Sequence, residues 1–179
     1  MYYIGTQSRW HSHYPIGTYF NGKAITKFNE LYYFEIAQVP GNAFQNCTAL
    51  REVSLPKKMT ALPGSTSTFK KNTNMKVYFP EGYKQLLYSS FGDSCSNCTL
   101  VFPTTLTNIA GGSLYAGSNY TLIIKATTPP TLGGTARIGN VYVPDDYVNE
   151  YKSAAVWSGI ANNIHPLSDY DGSIVSPVW

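Results

Sequence analysis

The chain has 179 residues, of which 43% are hydrophobic and 15% aromatic but only 13% charged, about half of the roughly 25% charged share usual in globular proteins. That balance excludes a disordered chain and a charge-laced coiled coil, and it supplies enough apolar matter for a core in one domain or two small ones. A formal net charge of +3 is too small to call for nucleic acid as a partner, and the absence of any run of about 18 apolar residues leaves no membrane-spanning helix to expect.

Met1-Tyr2-Tyr3-Ile4-Gly5 has neither a basic start nor an apolar run, so it does not read as a secretory leader. The expectation is either a chain not exported by its own leader or a piece of a longer protein. Residues 1–24 carry Tyr2, Tyr3, Trp10, Tyr14, Tyr19 and Phe20 and fit no repeat. They read as a cap over one end of the molecule or as a docking segment, with Trp10 and Tyr14 as candidate partner contacts, because Trp and Tyr anchor interfaces. His11 and His13 share one face if the segment is extended, but two imidazoles without further ligands do not make a metal site.

From there on short alternating segments recur: Val53-Ser54-Leu55-Pro56, Val77-Tyr78-Phe79-Pro80, Leu100-Val101-Phe102-Pro103, Leu122-Ile123-Ile124-Lys125 and Val141-Tyr142-Val143-Pro144. Pro56 to Pro80 is 24 residues, Pro80 to Pro103 is 23, Pro103 to Ala126 is 23, and the last step to Pro144 is 18. A second series, Phe44, Phe69, Phe91 and Leu114 (or Tyr115), keeps the same step. Periods of 20–29 residues belong to solenoids in which each coil is one strand plus a return segment. One such strand buries too little alone, whereas stacked strands about 4.8 Å apart continue one core. Val53/Leu55, Val77/Phe79, Leu100/Phe102, Leu122/Ile124 and Val141/Val143 are therefore expected to point inward. Ser54, Tyr78, Val101, Ile123 and Tyr142 are expected to point outward, with the Phe series on the opposite wall. Proline at the strand end donates no ladder bond and marks where pairing stops.

Cys95-Ser96-Asn97-Cys98 has a spacing used in redox and zinc sites. No second ligand pair follows it, and a Ser/Gly/Asp loop precedes it instead of a strand, so small half-buried side chains or a local disulfide is the simpler reading. Lys57, Lys58, Lys70, Lys71, Lys76 and Lys84 form a basic cluster that reads as solubility and edge protection, or as a contact for an anionic surface. Beyond Pro144, Asp145 or Asp146 is a plausible helix N-cap, and Tyr147, Val148 and Tyr151 form an apolar face. Val156, Trp157, Ile160 and Ile164 fit a second set of helical turns ended by His165-Pro166, with Trp157 plugging the end. Residues 169–179 fit neither repeat nor cap. Asp169-x-Asp171-Gly172 lacks the later Glu of a calcium loop and reads as a solvated turn.

The stretch Asn42-Ala43-Phe44-Gln45-Asn46-Cys47-Thr48-Ala49-Leu50-Arg51-Glu52-Val53-Ser54-Leu55-Pro56 resembles one unit of the BspA-like leucine-rich repeats, which read aF-x-x-C-x-x-L-x-x-V-x-L-P. Lys57 to Leu62 supplies the return, and Val141 to Lys152 with Trp157 to Leu167 is similar to the family's closing unit. The resemblance covers about residues 25–168. Between 63 and 103 it weakens, with Lys71 and Asn74 near the Cys and Leu places, and no asparagine ladder is visible. It implies a β-rich solenoid of right-handed coils with a short parallel sheet and a small C-terminal helical cap: segment 1–24, solenoid 25–144, cap 145–168 and tail 169–179. It also implies a non-catalytic, surface-exposed module binding host or cell-surface protein or glycan, with similar coils in phage virion proteins.

Chemistry has little support. No two acids beyond the capping pair fall at matching strand positions, no activated serine motif or phosphate-cradling glycine loop occurs, and no cofactor is implied. Asn46-Cys47-Thr48, Asn97-Cys98-Thr99 and Asn119-Tyr120-Thr121 match glycosylation sequons, a coincidence in a bacterial or phage protein. Binding is expected on the outward strand row, where Tyr78 and Tyr142 are the exposed aromatic candidates for a sugar ring or a protein partner. Packing between neighbouring strands is the alternative role for both. A virion component, docked on other virion proteins by its aromatic N-terminus, is the alternative to a cell-surface adhesion module.

Overall fold

The computed structural model describes residues 25–178 apart from 40, 42, 63–67, 92–94, 115–116 and 136. Its strands are Lys27–Phe28 (β1), Glu52–Ser54 (β2), Ala61–Leu62 (β3), Lys76–Tyr78 (β4), Gln85–Leu86 (β5), Thr99–Phe102 (β6), Asn108–Ile109 (β7), Tyr120–Ile124 (β8), Thr131–Leu132 (β9), Ile138–Val143 (β10) and Ile164–Pro166 (β11). They form two parallel sheets, ordered β1-β2-β4-β6-β8-β10-β11 and β3-β5-β7-β9. From β2 to β10 the chain visits the sheets in turn, so each repeat lays one strand on each.

Register follows the apolar alternation. Val53 pairs with Val77, Val77 with Leu100, Leu100 with Leu122, Leu122 with Val141, and Val141 with Ile164. All ten residues expected inward are buried in one continuous core. The prolines act as expected: Leu55 and Phe79 still donate to Tyr78 and Val101 of the next strand, and the following residue has no N–H to offer. The chain then turns, and the N–H of Met59, Tyr83, Leu106 and Tyr147 donates back to the carbonyl of Pro56, Pro80, Pro103 and Pro144 respectively.

The smaller sheet was not expected. Its strands are two residues long and contribute one buried side chain each, Leu62, Leu86, Ile109 and Leu132, aligned through successive registers. A single inward residue gives no alternation to detect, so the sequence reading sees only a return segment.

The aromatic wall is a stack. Phe44 and Phe69 lie 5.3 Å apart and 4° from parallel, and Phe69 and Phe91 lie 4.9 Å apart at 13°. These distances match the spacing of neighbouring strands, about 4.8 Å, so the step between repeats sets the stacking distance. Each such pair adds about 0.5–1.5 kcal/mol beyond its buried area. Leu114 continues the wall; Tyr115 lies outside the described residues.

The middle repeats keep the pattern better than their letters indicate. Hydrogen bonds align Cys47 with Asn72, bridges align residues 73, 96 and 118, and Cys95 and Gly117 therefore extend the same column. Leu50, Met75, Cys98, Tyr120 and Ile138 form the next one. Asn72 is buried and donates from Nδ2 to the Phe44 and Phe69 carbonyls at 2.6 and 2.9 Å. Gly117 is required by its partner: an added Cβ would sit 1.7 Å from the Cys95 carbonyl oxygen and 2.3 Å from the Tyr120 hydroxyl. Asn74, Asn97 and Asn119 precede the strands with φ of 55°, 54° and 56°, the left-handed region that asparagine tolerates best among residues with a Cβ. Asn119 Nδ2 donates to Asn97 Oδ1 at 3.0 Å. Asn74, Asn97 and Asn119 thus share one exposed position on successive turns.

At the C-terminal side neither Asp145 nor Asp146 caps a helix. Both lie in a 3-10 turn, Asp145–Tyr147, that leads into the one-and-a-half-turn helix α1, Val148–Ser153. Tyr151 of α1 is buried and donates to the Ala126 carbonyl at 2.8 Å. Trp157 is buried beside it, its rings 5.5 Å from Tyr151, and its Nε1 donates to the Pro130 carbonyl at 2.8 Å. The second helical set is corrected in part: Trp157–Asn163 is 3-10 helix, but Ile164–Pro166 is a strand, β11, lying parallel to β10. Ile164 continues the strand core column, so the strand register overrides the helical spacing.

Candidate binding face

The outward row of the larger sheet is where the sequence reading and the structure part. Tyr78, Val101 and Ile123 form an apolar cluster of their own, separate from the core, yet they are only 2%, 2% and 0% exposed. Tyr142, Leu167, Tyr170 and Ile174 pack against them. The last three belong to the C-terminal segment, which returns across the outer face. Tyr78 is therefore not an exposed binding residue in this state, and Tyr142 is half-buried with its ring 5.0 Å from that of Tyr170.

The segment crosses the sheet in sequence order. Ser168 N–H donates to Asp145 Oδ1 at 3.0 Å, and this contact with the Ser168 hydroxyl and N–H holds the Asp145 carboxyl below its ordinary range. Tyr170 meets Tyr142 on β10 and accepts from Lys76 Nζ of β4 at 3.2 Å. Lys76 also donates to the Ser173 carbonyl and lies 5.4 Å from the Tyr78 ring centre and 5.1 Å from that of Tyr170. Ser176 and Ser54 share a hydroxyl hydrogen bond of 2.8 Å over β2. Tyr33 donates to the Val178 carbonyl at 3.1 Å beside the turn Glu30–Tyr33. Residues 170, 172, 174, 176 and 178 are half-buried or buried, while 171, 173, 175 and 177 are exposed. That period of two lays alternate side chains on the sheet, while the backbone bends at Gly172 and Val175 and turns at 177–178.

Length agrees with this path. Seven strands span about 29 Å at about 4.8 Å per step, and ten extended residues reach about 33 Å. The alternation Tyr170-x-Gly172-x-Ile174-x-Ser176-x-Val178 is the signal by which the strap is recognisable in the sequence; Ser54 lies on the outward row as expected, and Tyr170 and Ile174 are the residues of this face that sequence reasoning misses.

The basic cluster does not assemble into one patch. Lys57 and Lys58 both pair with Glu35 at 2.5 Å, Lys76 lies on the strapped face, and Lys84 leads into β5 on the smaller sheet. Cys95 and Cys98 are free thiols with sulfurs 3.4 Å apart, and they occupy the two repeat columns named above. Contact with Cys98, together with burial, pushes the Cys95 thiol up, which leaves it protonated and a poor nucleophile. The redox spacing thus results from two repeat positions falling three residues apart.

Among the described residues no group of three or more His, Cys, Asp or Glu side chains is placed to hold a metal ion, and no helix is long and apolar enough to cross a membrane. Trp10, Tyr14, His11 and His13 lie outside the described residues. No match is found among curated proteins. The model of the BspA type leucine rich repeat region matches residues 18–132 in six copies. The matched stretch holds β1 to β9 and the aromatic wall, and the chain belongs to the BspA-type leucine-rich-repeat family.

Proposed function

We propose that the chain is a non-catalytic protein-binding and adhesion module exposed at a cell surface. Residues 25–144 form its leucine-rich-repeat solenoid, right-handed as parallel crossovers overwhelmingly are. Residues 145–168 close one end and 169–178 strap the outer face. The family supports the coarse part of this reading, since its repeats generally mediate protein interactions without catalysis. The observation that carries it is the second apolar cluster around Tyr78, Val101 and Ile123, which is separate from the core and accommodates a polypeptide segment, the chain's own C-terminal residues. A protein partner is favoured over a sugar because what lies over Tyr78 and half-buried Tyr142 is a polypeptide, the chain's own C-terminal segment. Trp10 and Tyr14 are proposed as further anchors on the strength of their side-chain type. A virion role relies on the segment outside the described residues, and no observation on the described ones favours it.

Beads coated with the chain test the reading against immobilised extracellular matrix proteins and a glycan array. Saturable adhesion to protein that survives enzymatic deglycosylation is expected. Binding confined to glycans, or adhesion abolished by deglycosylation, overturns it.

A further inference from the structure

We infer that the groove beneath residues 169–178 is a docking site for a short segment of the partner protein, and that the chain's own tail occupies it in cis. The inference rests on the protein-binding reading above and names the surface and the partner chemistry for it.

The mode of attachment sets the tail apart from the rest of the fold. Among the described residues it adds no strand to either sheet, because β11 ends at Pro166 and the residues beyond it are held only by side-chain contacts and single backbone carbonyls. Displacing it breaks no ladder hydrogen bond of the larger sheet. The inner faces of the strands form the core without it, since the two apolar clusters are separate. Displacement uncovers an apolar floor with a lysine at its centre. A row of buried Tyr, Val and Ile facing water is unfavourable by about 25 cal/mol per Å², so the face requires an occupant.

The present occupant defines the chemistry. It offers an aromatic ring to Tyr142 and Lys76 at position 170, an aliphatic side chain four residues later at Ile174, and a small hydroxyl to Ser54 two residues beyond at Ser176. A backbone carbonyl between them receives the Lys76 ammonium. The partner segment is therefore one that follows the tail's bent course, with an aromatic residue, an aliphatic residue at +4, and Ser or Thr at +6. Its sheet-facing positions carry no cation, because Lys76 already supplies one.

The full chain and its Tyr170→Ala/Ile174→Ala double variant test this with a fluorescent peptide of residues 167–178. A tethered tail acts at an effective concentration in the millimolar range, so the intact chain is expected to bind the peptide at least tenfold more weakly than the variant. A scrambled peptide is expected to bind neither, and the authentic peptide to inhibit bead adhesion to the protein partner. Equal binding by both chains, equal binding of the scrambled peptide, or a variant that dimerises by light scattering without taking up peptide overturns the inference. Adhesion that persists uninhibited by bound peptide overturns the docking site alone. Peptide binding without any protein adhesion overturns the module reading and leaves the groove as a site for the tail only.

Discussion

Single residues fix how closely the repeats approach one another. Gly117 exists because the Tyr120 ring fills the space where other repeats carry Cys47, Asn72 or Cys95, and Tyr120 then donates to the Phe91 carbonyl at 3.3 Å. Gly117→Ala forces a methyl against the Cys95 carbonyl, and overpacking against backbone costs about 3 kcal/mol. A urea midpoint well below that of the parent chain is expected, and an unchanged midpoint contradicts the close packing. The inward residues were legible before the fold was known, because two inward side chains per strand repeat at a constant step. The substitutions Asn72 for Cys and Met75 for Leu were not, since only the hydrogen-bond register shows that these unlike side chains occupy one column. Tyr78 was assigned to the correct face and the wrong environment, because alternation reports which side a residue faces and not what lies over it.

Short elements are held by what they pack against. α1 is six residues long, too short to persist alone, and Trp157 with Tyr151 fixes it to the last repeat. Trp157→Ala removes that contact and leaves the Pro130 carbonyl unpaired, a loss of about 3–5 kcal/mol. Hydrogen exchange is expected to accelerate first in β9 and β10, next to the opened end, while β2 and β4 stay protected; uniform acceleration contradicts a local cap. At the other end Glu35 joins the segment after β1 to the turn after β2 through Lys57 and Lys58, whose hydrogen bonds push its carboxyl down to about 2. A lowered folded-state value means this link is fully present above the unfolded value, near 4.5, and is lost as pH falls through about 2. An NMR titration of Glu35 is expected to show a midpoint near 2 in low salt that rises in 1 M salt, because the pair is exposed and screened. A midpoint at the ordinary value in low salt contradicts the ion pair. The helix cap expected at Asp145 does not form, and its carboxylate is instead engaged by Ser168, just before the tail, a contact 23 residues away.

For the whole molecule, two parallel sheets stacked repeat by repeat leave one apolar face to be covered, and the C-terminal segment covers it from β10 back to the turn beside β1. Acid weakens the root of this strap. Asp145 is held below its ordinary range by Ser168, so its hold on the tail is complete above that range and is lost as pH falls through the lowered value. The low-charge composition has a structural cause: apolar residues are needed on both faces of the larger sheet, inward for the core and outward beneath the tail. The most direct measurement is hydroxyl-radical footprinting of Tyr78 in the full chain and in a chain ending at Ser168. Strong protection of Tyr78 in the full chain and ready modification in the truncated one is the predicted result, and equal labelling of Tyr78 in two folded chains would contradict the account.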